Sequence, residues 1–505
     1  MSDIEKQLSE IPQPASKSEV ITGYTEEIKT YDSRIWKFVR FLHAEETGVE
    51  RIPDDLRTNH SEYSIGILFT AINMVYLGIS IGVNGITAYG LTFWDSVLCI
   101  IFFNIIGFLP VAYMCTFGPT FGMRQMVVSR FWVGYQTMRL FAAINSCICI
   151  GWAVLNLVAG ANLLHTLGHS ALPPWAAIII MTVGTLFVTA LGYKAIHLFE
   201  RWAWIPTFLV TFVIIARVKI SGSFSPGYMS AGRAEAGAVL SYGAALFGNA
   251  SGWTLFACDY TAYMKTTTSK LKLSCSVMFG CLFTTMFLQL VGVSAAACLN
   301  SNPLYKKMYD EFGAGGLFYA ILVEDSLGRF GQFCIVLLAL TLTTCNIACV
   351  YSSSLSAQAV CSRFRLLPRF YWVLLANAVA LGVSIPCYYR FTEVLYDFMS
   401  LLSYFISLYI GIVLSEHFLY RRQRGYAPDT YMAPEKLPVS YAALFAFCCG
   451  VAGAVIGMSE AWWTGPLAKA ISEDVPGDIG FQLSFAFAFI GHASSRWAEL
   501  KYIGR

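Results

Sequence analysis

Long apolar stretches recur along the whole chain, and short links containing basic residues or turn formers separate them. The stretch from Ser96 to Phe117 carries no charged residue. A helix needs about 20 such residues to cross roughly 30 Å of hydrocarbon. Read this way, the pattern predicts twelve helical segments, numbered 1 to 12 in chain order. They span about 65–90, 93–115, 139–164, 174–191, 201–218, 238–264, 273–299, 328–358, 370–388, 394–418, 438–460 and 479–493. Residues 1–64 form a polar N-terminal tail and 494–505 a short C-terminal one. No apolar core follows Met1 as in a signal peptide, so segment 1 is expected to act as the insertion signal.

Two segments are interrupted by small and polar residues at mid-span. Segment 1 reads Leu77-Gly78-Ile79-Ser80-Ile81-Gly82-Val83-Asn84-Gly85, and segment 6 reads Phe247-Gly248-Asn249-Ala250-Ser251-Gly252-Trp253. Such residues weaken a helix and free backbone groups, which hydrocarbon tolerates only beside a cavity or packed protein. Small residues also let helices pack closely. The two interruptions lie five segments apart, in corresponding halves, and paired breaks of this kind point to a midplane site between inverted repeats.

Composition agrees with the membrane reading: 56% of the 505 residues are hydrophobic and 13% charged, against roughly 25% charged in a soluble domain. The net charge of +3 says nothing about nucleic acid, but its distribution sets an orientation. With both termini cytoplasmic, the inner links hold fifteen Lys and Arg and the outer links eight, the asymmetry of the positive-inside rule. Most of the fifteen cysteines lie inside apolar runs and read as small buried residues, with no disulfide or metal framework. Hydrolase, phosphate-loop and zinc motifs are missing, so no enzyme, cofactor or metal site is expected.

The polar residues inside the segments are the candidates for chemistry. Trp152 and Asn156 are four apart on segment 3 and share a face. A flat ring beside an amide suits a planar heteroaromatic ligand, although the same pair serves packing and an interhelical bond. Trp253, at the second interruption, could close the other side of the same slot. On segment 8, Asn346, Cys349 and Ser353 follow at spacings of three and four. Ionisable residues within spans are functional suspects by default. Of these, Asp259 is the deepest and is the candidate for ion coupling. His197, Glu200, Asp397, Glu416 and His417 lie nearer the interfaces.

Several short stretches together resemble one family. They are Gly48-Val49-Glu50, Gly122-Met123-Arg124-Gln125-Met126 with Ser129-Arg130, Gly151-Trp152, and Ser251-Gly252-Trp253 with Cys258-Asp259-Tyr260. Phe330-Gly331-Gln332-Phe333-Cys334, Leu355-Ser356-Ala357-Gln358, Glu416-His417 with Arg421-Arg422, and Gly477-Asp478-Ile479-Gly480 complete them. From about Phe41 to the C-terminus the chain resembles the purine–cytosine permeases of fungi, within the first family of nucleobase–cation symporters. The resemblance implies an all-α integral membrane fold of about twelve transmembrane helices: two inverted five-helix repeats, with helices 1 and 6 broken, and two C-terminal helices. It also implies a slot between segments 1, 3, 6 and 8, and proton-coupled uptake at the plasma membrane. Its stacking and amide residues fall on Trp152, Asn156, Trp253 and Asn346.

This chain departs from the family at two slot positions. Where cytosine and purine carriers resemble Asn-Asn-Ile-Pro-Asn on segment 8, this sequence has Cys345-Asn346-Ile347-Ala348-Cys349, and Gly78 stands where the purine carriers are expected to hold a serine. The expected activity is therefore secondary active import of purine or cytosine bases, or of a related planar nitrogen heterocycle, with Gly78 and Cys349 tuning the choice. The alternatives are a pyridoxine-type vitamin carrier of the same family and a non-transporting membrane sensor. Membrane lipid and the small heterocycle are the expected partners.

Overall fold

The computed structural model describes residues 49–504 apart from 58–60, 169–170, 191–201, 203, 362, 365–366, 368 and 423–424. His197 and Glu200 therefore lie outside the described residues, as does most of the N-terminal tail.

A helix falls on each of the twelve predicted segments. Segment 1 is two helices, Glu62–Asn73 and Tyr76–Thr87, bent by 61°. Segments 2 to 5 are Phe93–Met114, Tyr135–Leu167, Pro174–Ala190 and Trp204–Ser221. Segment 6 runs as Arg233–Ser251, tightens into a 3-10 turn over Gly252–Phe256, and resumes as Ala257–Thr261. Segments 7 to 12 are Lys270–Ala296, Arg329–Val360, Arg369–Cys387, Phe391–Ser415, Tyr441–Gly457 and Gly480–Tyr502. Among the described residues, six helices are long and apolar enough to cross a membrane, or seven with the bent pair taken as one.

The outer surface is apolar as well as the interior: Phe102, Leu109, Leu209, Phe279 and Phe333 are all exposed. Water would not tolerate a belt of this kind, whereas lipid is its natural solvent. Because lipid removes the hydrophobic drive between helices, close approach at small residues and interhelical hydrogen bonds hold the bundle. A Cβ at Gly82 would lie 2.0 Å from the Gln289 carbonyl oxygen, and one at Gly292 2.0 Å from that of Ile79, so segments 1 and 7 meet backbone to backbone. Segments 3 and 8 pack along their length and are joined by Asn145 donating to Ser356 at 2.8 Å.

The break in segment 1 does not fall where the sequence pattern put it. In segment 1 the interruption is at Met74 and Val75, while the glycine-rich Leu77–Gly85 stretch stays helical, with Gly78 and Gly82 seating it on segment 7. In segment 6 the break begins at the end of the predicted stretch. The preceding turn is locked by Gly248, whose Cβ would lie 2.0 Å from the Met399 carbonyl oxygen of segment 10.

Polar, amphipathic links hide further elements that the hydropathy pattern does not reveal. Pro303–Leu322 is a helix kinked at Gly313 (φ 64°), capped by the Asn302 side chain accepting from Leu304 and Tyr305. Three short turns, Phe117–Phe121, Gln125–Val128 and Arg130–Val133, fill the link between segments 2 and 3. A two-residue hairpin, Ser459–Glu460 with Trp463–Thr464, follows segment 11. The last helix continues through most of the predicted C-terminal tail to Tyr502, because Arg496 and Glu499 are buried there: Arg496 pairs with Glu416 at 2.9 Å and with Glu499. The described part of the N-terminal tail is also docked. Ile52 N–H donates to the Gly122 carbonyl at 2.8 Å, and the buried Arg57 guanidinium donates to the Ile52, Pro119 and Phe121 carbonyls.

Candidate functional site

The two breaks face one another across a cavity at mid-bundle. It is lined by Ile72, Asn73, Val75, Leu77, Gly78 and Ile81 of segment 1, Trp152 of segment 3, and Asn249, Gly252, Trp253 and Phe256 of segment 6. Thr285 of segment 7 and Cys345 and Cys349 of segment 8 complete the wall. The space measures about 40 Å³, room for about three water molecules at roughly 10–15 Å³ each. A heterocycle fits only once these side chains part, so this is a closed form.

Each break serves the cavity. The helix Tyr76–Thr87 starts at its wall, so its positive dipole end lies beside the cavity. Asn73, the last residue before the break, accepts from the Trp253 indole N–H at 3.0 Å and donates to the Phe69 carbonyl at 2.8 Å. That bond fixes the ring of Trp253, whose flanks meet Phe69 at 5.6 Å and Phe256 at 5.1 Å, both edge-on. Trp152 is held by an edge contact with Phe398 of segment 10 at 5.4 Å. Gly151 admits this contact: a Cβ there would lie 2.3 Å from the Phe398 ring.

Of the residues singled out in the sequence, Gly78, Trp152, Trp253 and Cys349 line the cavity. Asn156 is buried behind the wall. Its amide approaches the Cys345 thiol and has no oxygen or nitrogen partner. Asn346 turns away, donating to Thr185 of segment 4 at 3.0 Å. Asp259 stands apart, towards the end of the bundle that carries the termini. Its carboxylate accepts from the Gln125 N–H at 2.8 Å, and its backbone carbonyl accepts from the Arg124 guanidinium. Gln125 in turn accepts from the Cys258 N–H at 3.1 Å and donates to the Tyr409 hydroxyl at 2.9 Å. These bonds clamp the ends of segments 6 and 10 nearer the termini to the link between segments 2 and 3.

The sequence reading missed Asn73, Asn249, Thr285 and Cys345. An amide within a membrane span is itself a signal, and both Asn73 and Asn249 carried it. Thr285 gave none, since threonines in apolar helices usually bond their own backbone.

Broken first and sixth segments around a mid-bundle cavity, inside an apolar-surfaced helical bundle, define a membrane transporter of the inverted-repeat kind. Comparison with known proteins narrows this: residues 52–472 match the family of permeases for cytosine/purines, uracil, thiamine and allantoin, and the chain belongs to that family. It is 41% identical over 474 residues to the purine-cytosine permease FCY2 of Saccharomyces cerevisiae, covering 93% of this chain and 89% of that one. The vitamin B6 transporter TPN1 of the same yeast is 26% identical over 522 residues, covering 93% and 90%. Among solved structures the chain is similar to Mhp1, a nucleobase-cation-symport-1 family transporter in a closed conformation with bromovinylhydantoin bound. The TM-score is 0.67 at 15% identity, covering 91% of this chain and 96% of that one.

Proposed function

We propose that this protein imports purine or cytosine bases by proton-coupled symport across the plasma membrane, with both termini in the cytoplasm. The observation that carries this reading is that Trp152 and Trp253, from different segments, border one cavity beside the two helix breaks. Two indoles offer stacking faces to a planar heterocycle. The start of the helix Tyr76–Thr87 and Asn249 border the cavity and offer donors and acceptors for its edge, and the Asn156 amide, behind the wall against the Cys345 thiol, joins them once the wall parts. A buried amide left unpaired costs about 1–3 kcal/mol, and a bound base relieves that cost. Closure of the cavity around the base then separates the two sides of the membrane.

A vitamin B6 compound is the second candidate, favoured by the Cys345 and Cys349 thiols in the wall. A thiol reads the edge of a nucleobase poorly. Uptake of labelled cytosine, adenine, hypoxanthine and pyridoxine in a host lacking its own carriers decides between them. Saturable cytosine or purine uptake, competed by unlabelled bases and not by pyridoxine, is the expected result. Pyridoxine uptake insensitive to bases would overturn the nucleobase reading.

A further inference from the structure

At the end of the bundle away from the termini, three carboxyl groups are packed together with no base among them. Asp397 lies near the start of segment 10, Glu460 on the hairpin after segment 11, and Asp478 just before segment 12. Tyr404 of segment 10 reaches both Glu460, at 3.0 Å, and Asp478. Counting protons shows what the cluster lacks. Asp478 also accepts from the Ser459 N–H at 3.2 Å and the Gly480 N–H at 2.8 Å, so it is furnished as an anion. Tyr404 has one hydroxyl proton to share between two carboxylates. Glu460 is 5% exposed, and its Oε2 has no donor. Its neighbour Asp397 meets it side chain to side chain, and Asp397 Oδ1 also lacks a donor. Two facing carboxylate oxygens are both satisfied only when one of them carries a proton.

The groups acting on the cluster from the packed elements are acidic or phenolic. They are Glu393 and Tyr396 on segment 10 and Tyr89 after segment 1, with Tyr242 of segment 6 packed on Tyr89. Ser241 of segment 6 accepts from the Asp478 N–H at 3.1 Å. Among the described residues no Lys, Arg or His forms an ion pair with the three acids. Burial, then the neighbouring Asp478 and Asp397 charges, push the Glu460 carboxyl up to about 9, and burial raises Asp478 to about 6. The outer half of segment 10 also backs the cavity wall: Phe398, the residue after Asp397, meets Trp152 edge-on, and Leu402 approaches Gly252.

We propose that Glu460, with Asp397 and Asp478, forms a proton-binding site whose occupancy holds the outer half of segment 10 closed over the cavity. The half-buried Asp397 is the entry, taking a proton from the medium and sharing it with Glu460. No covalent change is involved, and the proton returns to the medium when the cover lifts and water solvates the acids. The sign follows from linkage: the closed form binds the proton more tightly than an open, hydrated one, so closure weakens as pH rises towards the Glu460 titration. The inference rests on the proposed orientation but needs neither net proton transport nor a particular substrate.

Cys345 and Cys349 in the cavity wall report the cover directly. Intact cells expressing wild type or E460Q are treated with a membrane-impermeant maleimide at acidic and at alkaline pH, and labelling at each cysteine is read by mass spectrometry. Comparison at equal pH cancels the titration of the thiols themselves. E460Q keeps the amide in the tyrosine's reach but cannot ionise, so it should label several-fold more slowly than wild type at alkaline pH and at the same rate at acidic pH. D397N, whose amide donates to Glu460 in place of the shared proton, supplies the same test should E460Q fail to reach the surface. Equal rates at both pH values, or no labelling of wild type at any pH, would overturn the site. Because no substrate or gradient is present, failure of proton-coupled nucleobase uptake would leave this result standing.

Discussion

Trp152 and Trp253 in the cavity wall and Asn156 behind it have different physical duties. The two indoles offer faces, and base–aromatic stacking is worth about 1–3 kcal/mol per base. Replacing either by Ala should raise the apparent KM for the transported base by about fivefold to 150-fold, at 1.4 kcal/mol per tenfold, with surface expression intact. Initial-rate uptake corrected for surface protein checks this. Asn156 should separate stability from function. Its amide is buried without an oxygen or nitrogen partner, so Asn156→Leu should leave the melting temperature of the substrate-free protein unchanged or raised while base affinity falls. A lowered melting temperature would mean that the amide supports the fold instead. Cys349 lines the cavity, and an amide there both donates and accepts. Cys349→Asn should therefore sharpen competition by cytosine and purines, by up to about a hundredfold if one good buried pair is formed. An unchanged competition profile would remove Cys349 from the contact surface.

Among the helices, glycine contacts decide which stretches bend and which stay straight. The glycines of segment 1 look like helix breakers in the sequence, yet Gly82 and Gly292 let segments 1 and 7 touch backbone to backbone. The loss of helix propensity, about 1 kcal/mol per glycine, is offset by that contact. The chain bends instead at Met74 and Val75, where the Asn73 side chain bonds Phe69 and Trp253. Gly82→Val should therefore cost stability heavily, since Gln289 backbone cannot yield as a flexible side chain would. Gly382→Ala in segment 9, where a Cβ meets nothing within 4 Å, should recover helix propensity and leave the melting temperature unchanged or raised. Melting curves of the two detergent-solubilised variants, compared with wild type, test the contrast.

At the scale of the whole molecule, the basic links and the closed cavity bear on orientation and cycle. The clamp of Arg124, Gln125 and Asp259 lies at the end carrying the termini, and the acid cluster lies at the opposite end. Closing contacts thus flank the cavity on both sides, as alternating access requires. With the proposed orientation, epitope tags on Ser2 and Arg505 should be shielded in intact cells and reached after permeabilisation. A surface-accessible tag at either end would reverse the assignment of inner and outer ends.

The membrane class, the twelve helical segments and the two interrupted ones were legible in the sequence, because lipid imposes a length and an apolar content that local composition must meet. Trp152 and Trp253 were legible as well, since large polar-edged rings beside interruptions stand out from an aliphatic background. The point of bending in segment 1, the turning of Asn346 towards Thr185 and the gathering of Asp397, Glu460 and Asp478 were not. These depend on which residues from distant segments share a contact: Gly82 with Gln289, Asn346 with Thr185, Tyr404 with Glu460. Hydropathy records the solvent around each segment. The neighbour that each face of a helix meets is decided only when the helices pack.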